Sequence, residues 1–197
     1  MREFSIYSVS AINLIITLRY GILIYKKSIQ PALAMWVFFS IAVIMSLVTY
    51  MADGHYSFVD NILNTTDVVL ALSVSLFILI FGDRTSRFTP FDKGCLIVVT
   101  LIIVFWFFTQ NHLITNFLIQ AILIIGYFPV VKRMWETKSN TESFSIWILM
   151  LIAPAISLLS SRGFLASLYS WRAIACVSLL LLIMISVKQF GKQHAQN

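Results

Sequence analysis

The sequence predicts an all-α integral membrane protein with seven transmembrane helices, and three observations support this fold class. First, 59% of the 197 residues are hydrophobic and only 11% are charged, whereas soluble domains are usually about 45–50% apolar and about 25% charged. Second, seven apolar segments approach the length of about 20 residues that crosses a bilayer. Third, the basic residues between these segments fall mostly on one face.

The seven apolar segments follow one another with short polar connections. An α-helix rises about 1.5 Å per residue, so one helix over 95–131 would be about 55 Å long, which is too long for a single crossing. The polar residues 109–112 therefore predict a tight turn within this stretch. We place the seven spans at residues 5–25, 32–51, 62–82, 95–110, 112–131, 143–160 and 166–187.

The Lys and Arg residues predict the orientation of the chain. With seven spans, eleven of the 14 Lys and Arg residues fall on one face, and only Arg2, Arg162 and Arg172 fall on the other. An even number of spans would scatter these charges over both faces. Because cytoplasmic loops are enriched in Lys and Arg, we predict an external N-terminus and a cytoplasmic C-terminus in a multi-pass protein of the plasma (inner) membrane.

Two polar hairpins indicate an internal repeat. The segment YGILIYKKSIQPALAMW at 20–36 and the segment YFPVVKRMWETKSNTESFSIW at 127–147 both begin with Tyr, become basic and end with Trp. The spans that precede these hairpins also align. At an offset of 107 residues, Asn13 of the first span corresponds to Gln120 of the fifth.

The third and seventh spans align at a similar offset, which places Asp67 on Arg172. The sequence therefore predicts two triple-helix repeats, residues 1–93 and 111–197, joined by a linker helix at 94–110. Each repeat begins outside and ends inside, so the two repeats run parallel. The apolar run of the linker contains a single clearly polar residue, as we expect for a helix that faces lipid.

Asp67 and Arg172 are the strongest candidates for a binding site. A charge within a membrane span is costly unless it has a partner or water. The repeat places the two residues at matching depth on helices that flank one cavity, with Asn64 one helical turn from Asp67. Two alternatives remain open, namely an ion pair that braces the fold and an arginine that extends to the membrane surface.

Two polar stripes predict the wall of this cavity. Asn13 and Tyr20 are seven residues apart and share one helical face, as do Gln120 and Tyr127, and Asn116 extends the second stripe. An unsatisfied amide in hydrocarbon is costly, so these side chains face the protein interior. At that position they can contact a substrate, or they can form hydrogen bonds between helices.

Two prolines predict points where the helices can bend. Pro129 removes the helical hydrogen bond to the carbonyl of Ile125, and Pro154 lies within the sixth span. A static kink is the alternative to a hinge at either proline. We expect both prolines to act in gating, together with Tyr20 and Tyr127 at the inner ends of the first and fifth spans.

Trp36 and Trp147 begin the second and sixth spans near the inner face. Tryptophan is enriched at membrane–water interfaces, so we interpret both residues as interfacial anchors. Stacking against a planar ligand is the alternative interpretation.

The segment YFPVVKRMWETKSNTESFSIWILML resembles the PQ-loop superfamily, which includes the SWEET sugar transporters, cystinosin and the KDEL receptor. In that family a proline near the inner end of the fifth helix precedes a basic, Ser/Thr-rich loop, as Pro129, Lys132 and Ser139 do here. Val130 stands where the family has its glutamine. The resemblance implies a three-plus-one-plus-three plan with an external N-terminus. Bacterial nicotinamide riboside transporters share this plan, so a vitamin-like substrate stays among the candidates.

Together these features predict a transporter or facilitator that moves a small polar solute by alternating access. A non-transporting membrane receptor or adaptor on the same fold is the alternative. We expect the lipid bilayer and a small-molecule substrate as partners, and the sequence also allows a homo-oligomer. We expect no nucleic acid, metal or cofactor. Because no Ser or Cys nucleophile has a base near it in any arrangement of the helices, we do not expect an enzyme. Cys95 and Cys176 are expected to be buried thiols.

Overall fold

The computed structural model describes residues 1–29, 31, 33–82, 90–138, 140 and 142–194, and within them the chain forms helices and no strands. Ser139 and the basic residues Arg84 and Arg87 lie outside the described residues. A short 3₁₀-helix at Phe58–Asn61 precedes the third helix. The α-helices are α1 (Arg2–Tyr25), α2 (Leu33–Ala52), α3 (Ile62–Phe81), α4 (Pro90–Thr109), α5 (His112–Ile125), α6 (Phe128–Thr137), α7 (Phe144–Ser157) and α8 (Phe164–His194).

The helices are apolar enough to support the predicted class. All seven predicted spans are helical, and the fifth is divided between α5 and α6. Two of the seven, at Lys93–Thr109 and Phe144–Ser157, are apolar but shorter than a typical span. Five are long and apolar enough to cross a membrane by length and composition, at Arg2–Tyr25, Met35–Ala52, Phe58–Phe81, His112–Glu136 and Phe164–Lys188.

The break between α5 and α6 lies beside the predicted bend, but it is an interruption rather than a kink. The N–H of Gly126 still bonds to Ile122 O at 2.9 Å, whereas the N–H of Tyr127 bonds only three residues back, to Ile124 O at 3.1 Å. A new helix then begins at Phe128. Pro129 therefore stands in the first turn of α6, where a helix needs no N–H donor.

A glycine at this break allows close packing between helices. A Cβ atom added to Gly126 would lie 3.0 Å from the ring of Phe38 and 3.1 Å from the ring of Phe39. Real Cβ atoms rarely come this close to a neighbour. A side chain at residue 126 would therefore push the end of α5 away from α2.

The helices pack in a defined order. α3 lies against both α1 and α2, and α8 lies against α7 and against α5 and α6. Two further contacts join these groups, because α1 packs on α7 and α2 packs on α5. α4 packs against α5 and α2 and leaves large apolar side chains exposed, among them Ile97, Leu101, Phe107 and Phe108. Such a surface suits contact with lipid.

An ionic cluster joins three segments of the chain at one end of the bundle. Asp60, which precedes α3, accepts a hydrogen bond from Arg2 Nη2 at 2.7 Å and lies 3.4 Å from Arg162 Nε. The backbone N–H and the hydroxyl of Ser57 donate to the other oxygen of Asp60, at 2.9 and 2.7 Å. The N-terminus of α1, the α2–α3 connection and the α7–α8 connection therefore meet at one end.

Candidate functional site

A cavity lies among α1, α2, α3, α6, α7 and α8. It contains about 750 Å³ of space free of protein atoms, counted with the solvent at its mouth, so a bound solute must be smaller than this. Polar side chains are confined to a few positions of the wall, chiefly Asn13, Asp67, Tyr127 and Arg172. Most of the remaining wall is apolar or aromatic, including Met35, Trp36, Phe39, Val130, Trp147 and Met150.

Asp67 is held by two hydrogen-bond donors from other helices. Its Oδ1 accepts from Asn13 Nδ2 of α1 at 2.9 Å, and its Oδ2 accepts from the hydroxyl of Tyr169 of α8 at 2.8 Å. Asn13 Nδ2 also donates to Thr66 Oγ1 at 2.7 Å. Hydrogen bonds to an ionised carboxylate are stronger than those between neutral groups. The carboxylate of Asp67 is therefore positioned by its neighbours.

Arg172 is positioned from two sides. Its Nε donates to Gln120 Oε1 of α5 at 3.1 Å, and its guanidinium carbon lies 4.6 Å from the centre of the Tyr169 ring. A cation within about 6 Å of an aromatic face is attracted to it. The hydroxyl of Tyr127 also interacts with the guanidinium. Arg172 is only 7% exposed, yet it contributes to the wall of the cavity.

Tyr169 connects the two charged side chains. Its hydroxyl binds Asp67, and its ring supports the guanidinium of Arg172, three residues further along α8. In the described part of the chain, the ion pairs include none that joins Asp67 to Arg172 directly. The direct ion pair that the sequence left open is therefore replaced by an arrangement in which a tyrosine contacts both charges.

A buried amide network lies behind Arg172. The amide nitrogen of Gln120 donates to Ser46 Oγ at 2.9 Å and to Asn116 Oδ1 at 3.1 Å. The amide nitrogen of Asn116 donates to the carbonyl of Ser46 and to Thr49 Oγ1, both at 2.9 Å. These bonds join α5 to α2, and the bond from Arg172 to Gln120 joins α8 to α5.

Asn64 extends the same network into α3. Oriented to satisfy both of its polar atoms, its amide nitrogen donates to Val43 O at 3.0 Å, and its oxygen accepts from Ser46 Oγ at 2.9 Å and from Leu47 N at 3.1 Å. Asn64 is fully buried. Its amide groups are thus occupied by contacts between α3 and α2.

The structure divides the predicted site residues into groups. Three of the proposed substrate-binding residues occupy the buried network rather than the cavity wall, because their amides bond to neighbouring helices; these are Asn64, Asn116 and Gln120. Tyr20 is buried behind Trp36, with ring centres 5.2 Å apart. The ring of Pro129 lies outside the described side chains. The others line the cavity: Asn13, Asp67, Tyr127, Pro154 and Arg172.

An aromatic group forms the part of the wall next to the first turns of α2 and α7. The ring of Tyr127 lies 6.0 Å from that of Trp147 and 6.1 Å from that of Phe39, which in turn lies 6.3 Å from Trp36. Both tryptophans are only 6% exposed. Both therefore lie in the cavity wall, as the alternative of stacking against a ligand requires, and their role as interfacial anchors stays a prediction.

Two indications in the sequence could have identified the aromatic and bridging residues. Trp36 and Trp147 end the two similar hairpins, so the predicted repeat pairs them. Tyr169 precedes Arg172 by three residues, a spacing that brings side chains together on one helical face. Among the residues that the structure describes, the buried indole N–H of Trp36 has no hydrogen-bond partner.

This arrangement is suited to binding rather than to metal coordination. Within the described residues, no three His, Cys, Asp or Glu side chains are grouped closely enough to hold a metal ion. The cavity instead offers a carboxylate, a guanidinium and a phenol at one part of its wall, and aromatic and aliphatic side chains elsewhere. Few polar groups in a mostly apolar pocket are typical of a small-molecule site.

Comparison with known proteins adds no relative. No family model, no curated protein and no solved structure matches this chain.

Proposed function

We propose that this chain is a multi-pass membrane transporter or facilitator that moves a small polar solute by alternating access. The observation that carries the proposal is the cavity, whose wall combines Asp67 and Arg172 within helices long and apolar enough to span a membrane. Ionisable side chains within membrane spans usually mark pathways for substrates or ions.

The packing order supports two parallel triple-helix repeats. If residues 1–93 and 111–197 are equivalent, α1 corresponds to α5 with α6, α2 to α7, and α3 to α8. The contact of α1 with α7 then has its counterpart in the contact of α5 with α2. The contacts of α3 with α1 and α2 likewise match those of α8 with the α5–α6 pair and with α7. This exchange is expected of two parallel repeats related by a pseudo-two-fold axis.

The position of the cavity supports the same mechanism. Asn13, Trp36 and Asp67 come from the first proposed repeat, and Trp147 and Arg172 come from the second. In transporters built from repeats, the substrate site lies at the interface between them, near the middle of the membrane. Rocking of one repeat against the other would then open the cavity to each face in turn.

The two ends of the bundle differ in their contacts, and the end that holds Asp60 is the one we expect to be closed. At the end that holds Asp60, Arg162 pairs with this carboxylate and also accepts a hydrogen bond from the Tyr50 hydroxyl to its carbonyl, at 2.8 Å. Towards the opposite end, Trp36 and Val130 from the first turns of α2 and α6 line the cavity. The excess of Lys and Arg in the loops at that end supports a cytoplasmic location.

A non-transporting receptor or adaptor is the second candidate function. The ionic cluster around Asp60 is the observation that favours it, since a receptor needs a cavity open at one end only. The two functions differ in whether the closed end ever opens.

Cysteine accessibility distinguishes the two candidates without knowledge of the solute. Cys95 and Cys176 form no disulfide and can be replaced by Ser. In that background, Met150→Cys places a thiol in the cavity wall. A matched control, Leu182→Cys, lies at a 62% exposed position on the outside of the bundle. A membrane-impermeant thiol reagent is applied to right-side-out and to inside-out vesicles.

If the protein is a transporter, the reagent should label the cavity cysteine from both faces. It should not label the lipid-facing control from either face. Labelling from the cytoplasmic face alone, with the external reagent active on a loop cysteine, would favour the receptor. Labelling of the control as fast as the cavity cysteine would contradict a membrane-embedded bundle altogether.

A further inference from the structure

The cavity contains two opposite charges that do not pair directly. Asp67 is held by the amide of Asn13 and the hydroxyl of Tyr169, and Arg172 is held by the amide of Gln120 and the ring of Tyr169. All of these partners are uncharged. Within the described part of the chain, neither charge has a countercharge in contact, which is an unfavourable state in a poorly solvated wall.

The protein keeps these two charges apart. The bonds from Asn13 and Gln120 draw Asp67 towards α1 and Arg172 towards α5, and Tyr169 makes separate contacts with each. Neutral groups hold both side chains, and the two charges make no direct ion pair in this structure. A solute that carries both charges can therefore provide a countercharge to each residue.

Both charged groups retain capacity for a ligand. A guanidinium has five N–H donors in a planar fork that fits a carboxylate. Arg172 uses Nε for Gln120 and also interacts with the Tyr127 hydroxyl, which leaves further donors for a ligand. A carboxylate has about four acceptor positions, and Asp67 uses one on each oxygen. An anionic group can thus bind Arg172 while a cationic donor binds Asp67.

The remaining wall indicates the rest of the solute. Trp36, Phe39, Trp147 and Met150 present aromatic and aliphatic surface beside the charged residues. Such a wall favours an apolar body by removing it from water. A neutral polyol fits this cavity poorly, since its hydroxyl groups would lie against apolar side chains and it would leave both protein charges without counter-ions.

We infer that the cavity binds a small zwitterion with an apolar body, the chemistry of an α-amino acid with an apolar or aromatic side chain. Its carboxylate binds Arg172, its ammonium group binds Asp67, and its side chain packs against the tryptophans. That the bound zwitterion is also moved across the membrane rests on the proposed function. The binding itself does not.

A series of four probes tests the inference on the unaltered protein. Binding of L-phenylalanine, 3-phenylpropanoate, 2-phenylethylamine and D-glucose is measured with purified protein by calorimetry and thermal stabilisation. The second and third probes keep the ring and remove one charge each. Losing a hydrogen bond to a charged group should weaken binding by about tenfold to a hundredfold. We expect L-phenylalanine to bind most tightly and D-glucose not to bind.

Two variants assign the charges. Arg172→Gln should remove most of the advantage of L-phenylalanine over 2-phenylethylamine, and Asp67→Asn should remove most of its advantage over 3-phenylpropanoate. Lys26→Gln, an exposed position near the end of α1, is the matched loss of charge and should change neither ratio. The probe series changes the ligand and uses the unaltered chain. It therefore still tests the inference if a variant fails to fold.

The outcomes separate the inference from the proposed function. Binding of L-phenylalanine without exchange of labelled L-phenylalanine across proteoliposomes would support the inference and count against transport. Tightest binding of 3-phenylpropanoate or D-glucose, or no binding of L-phenylalanine, would overturn the inference. Labelling of the cavity cysteine from both faces would in that case leave the transport proposal intact.

Discussion

The hydroxyl of Tyr169 donates a hydrogen bond of 2.8 Å to Asp67, across 102 residues of sequence and between α8 and α3. The ring of the same tyrosine supports Arg172, so one fully buried side chain positions both charges of the cavity. This contact also joins the two proposed repeats at the site itself.

Tyr169→Phe should remove the bond to Asp67 and keep the ring beneath Arg172. Since the carboxylate loses one of its two donors, we expect the free energy of unfolding to fall by about 1–3 kcal/mol. Thermal unfolding in detergent measures the change. Tyr7→Phe, at a 73% exposed position, is the control, and an equal effect of the two variants would show that the bond contributes nothing.

Asp67→Asn and Arg172→Gln should be strongly coupled. Each single variant removes the charge that strengthens its own hydrogen bonds, which typically costs about 1–3 kcal/mol, and also removes the attraction between the two charges. The double variant removes both charges, so its loss of stability should be smaller than the sum by about 0.5–3 kcal/mol. A double-mutant cycle on the free energy of unfolding measures this coupling. Strictly additive effects would show that the two charged side chains do not interact, either directly or through Tyr169.

Gly126→Ala should destabilise the contact between α5 and α2. The new methyl group would lie 3.0 Å from Phe38 and 3.1 Å from Phe39, and overpacking of this kind costs about 1–3 kcal/mol. Gly94→Ala in α4 is the matched control, because nothing lies within 4 Å of its added methyl group. There, the better helix propensity of alanine should stabilise the protein by up to about 1 kcal/mol. Melting temperatures that rise in both variants would contradict the close packing at residue 126.

Asp60→Ala should loosen the closed end of the bundle. The variant loses the hydrogen bond from Arg2, the contact with Arg162 and both bonds from Ser57. Loss of one charge-assisted bond shifts an equilibrium by about tenfold or more. External labelling of Met150→Cys should therefore accelerate by at least about tenfold, whereas Asp53→Ala, on an exposed side chain of the same connection, should leave it unchanged. If both variants label at the wild-type rate, this cluster does not close the cavity.

Lys138→Cys should react with an impermeant thiol reagent only from the cytoplasmic face. The residue directly follows α6 in the basic hairpin, and its side chain is exposed. Asp53→Cys, in the α2–α3 connection, should react only from outside, since the two connections are separated by an odd number of predicted crossings. Reaction of residue 138 in intact cells would invert the topology that the basic residues predict.

The helices themselves could be predicted from local properties of the chain. Apolar segments of nearly membrane length, separated by polar turns such as 109–112, depend only on neighbouring residues. The irregularity predicted at Pro129 and the similarity of the two hairpins also follow from the order of residues, although the structure has an interruption there and not a kink. The offset that aligns Asp67 with Arg172 likewise brought the two charges to one expected cavity.

The partners of those charges were decided only by tertiary structure. Helical periodicity shows which side chains share a face, but it does not show which neighbouring helix that face meets, because small rotations of a helix about its axis exchange one partner for another. Gln120 and Asn116 therefore turned out to bond to Ser46 and not to line the cavity. For the same reason, Tyr169 reached Asp67 and Arg172, and Trp36 and Trp147 entered the cavity wall. Sequence periodicity and charge determined which residues had to leave the lipid, and the rotation and packing of the helices determined what each of them contacts.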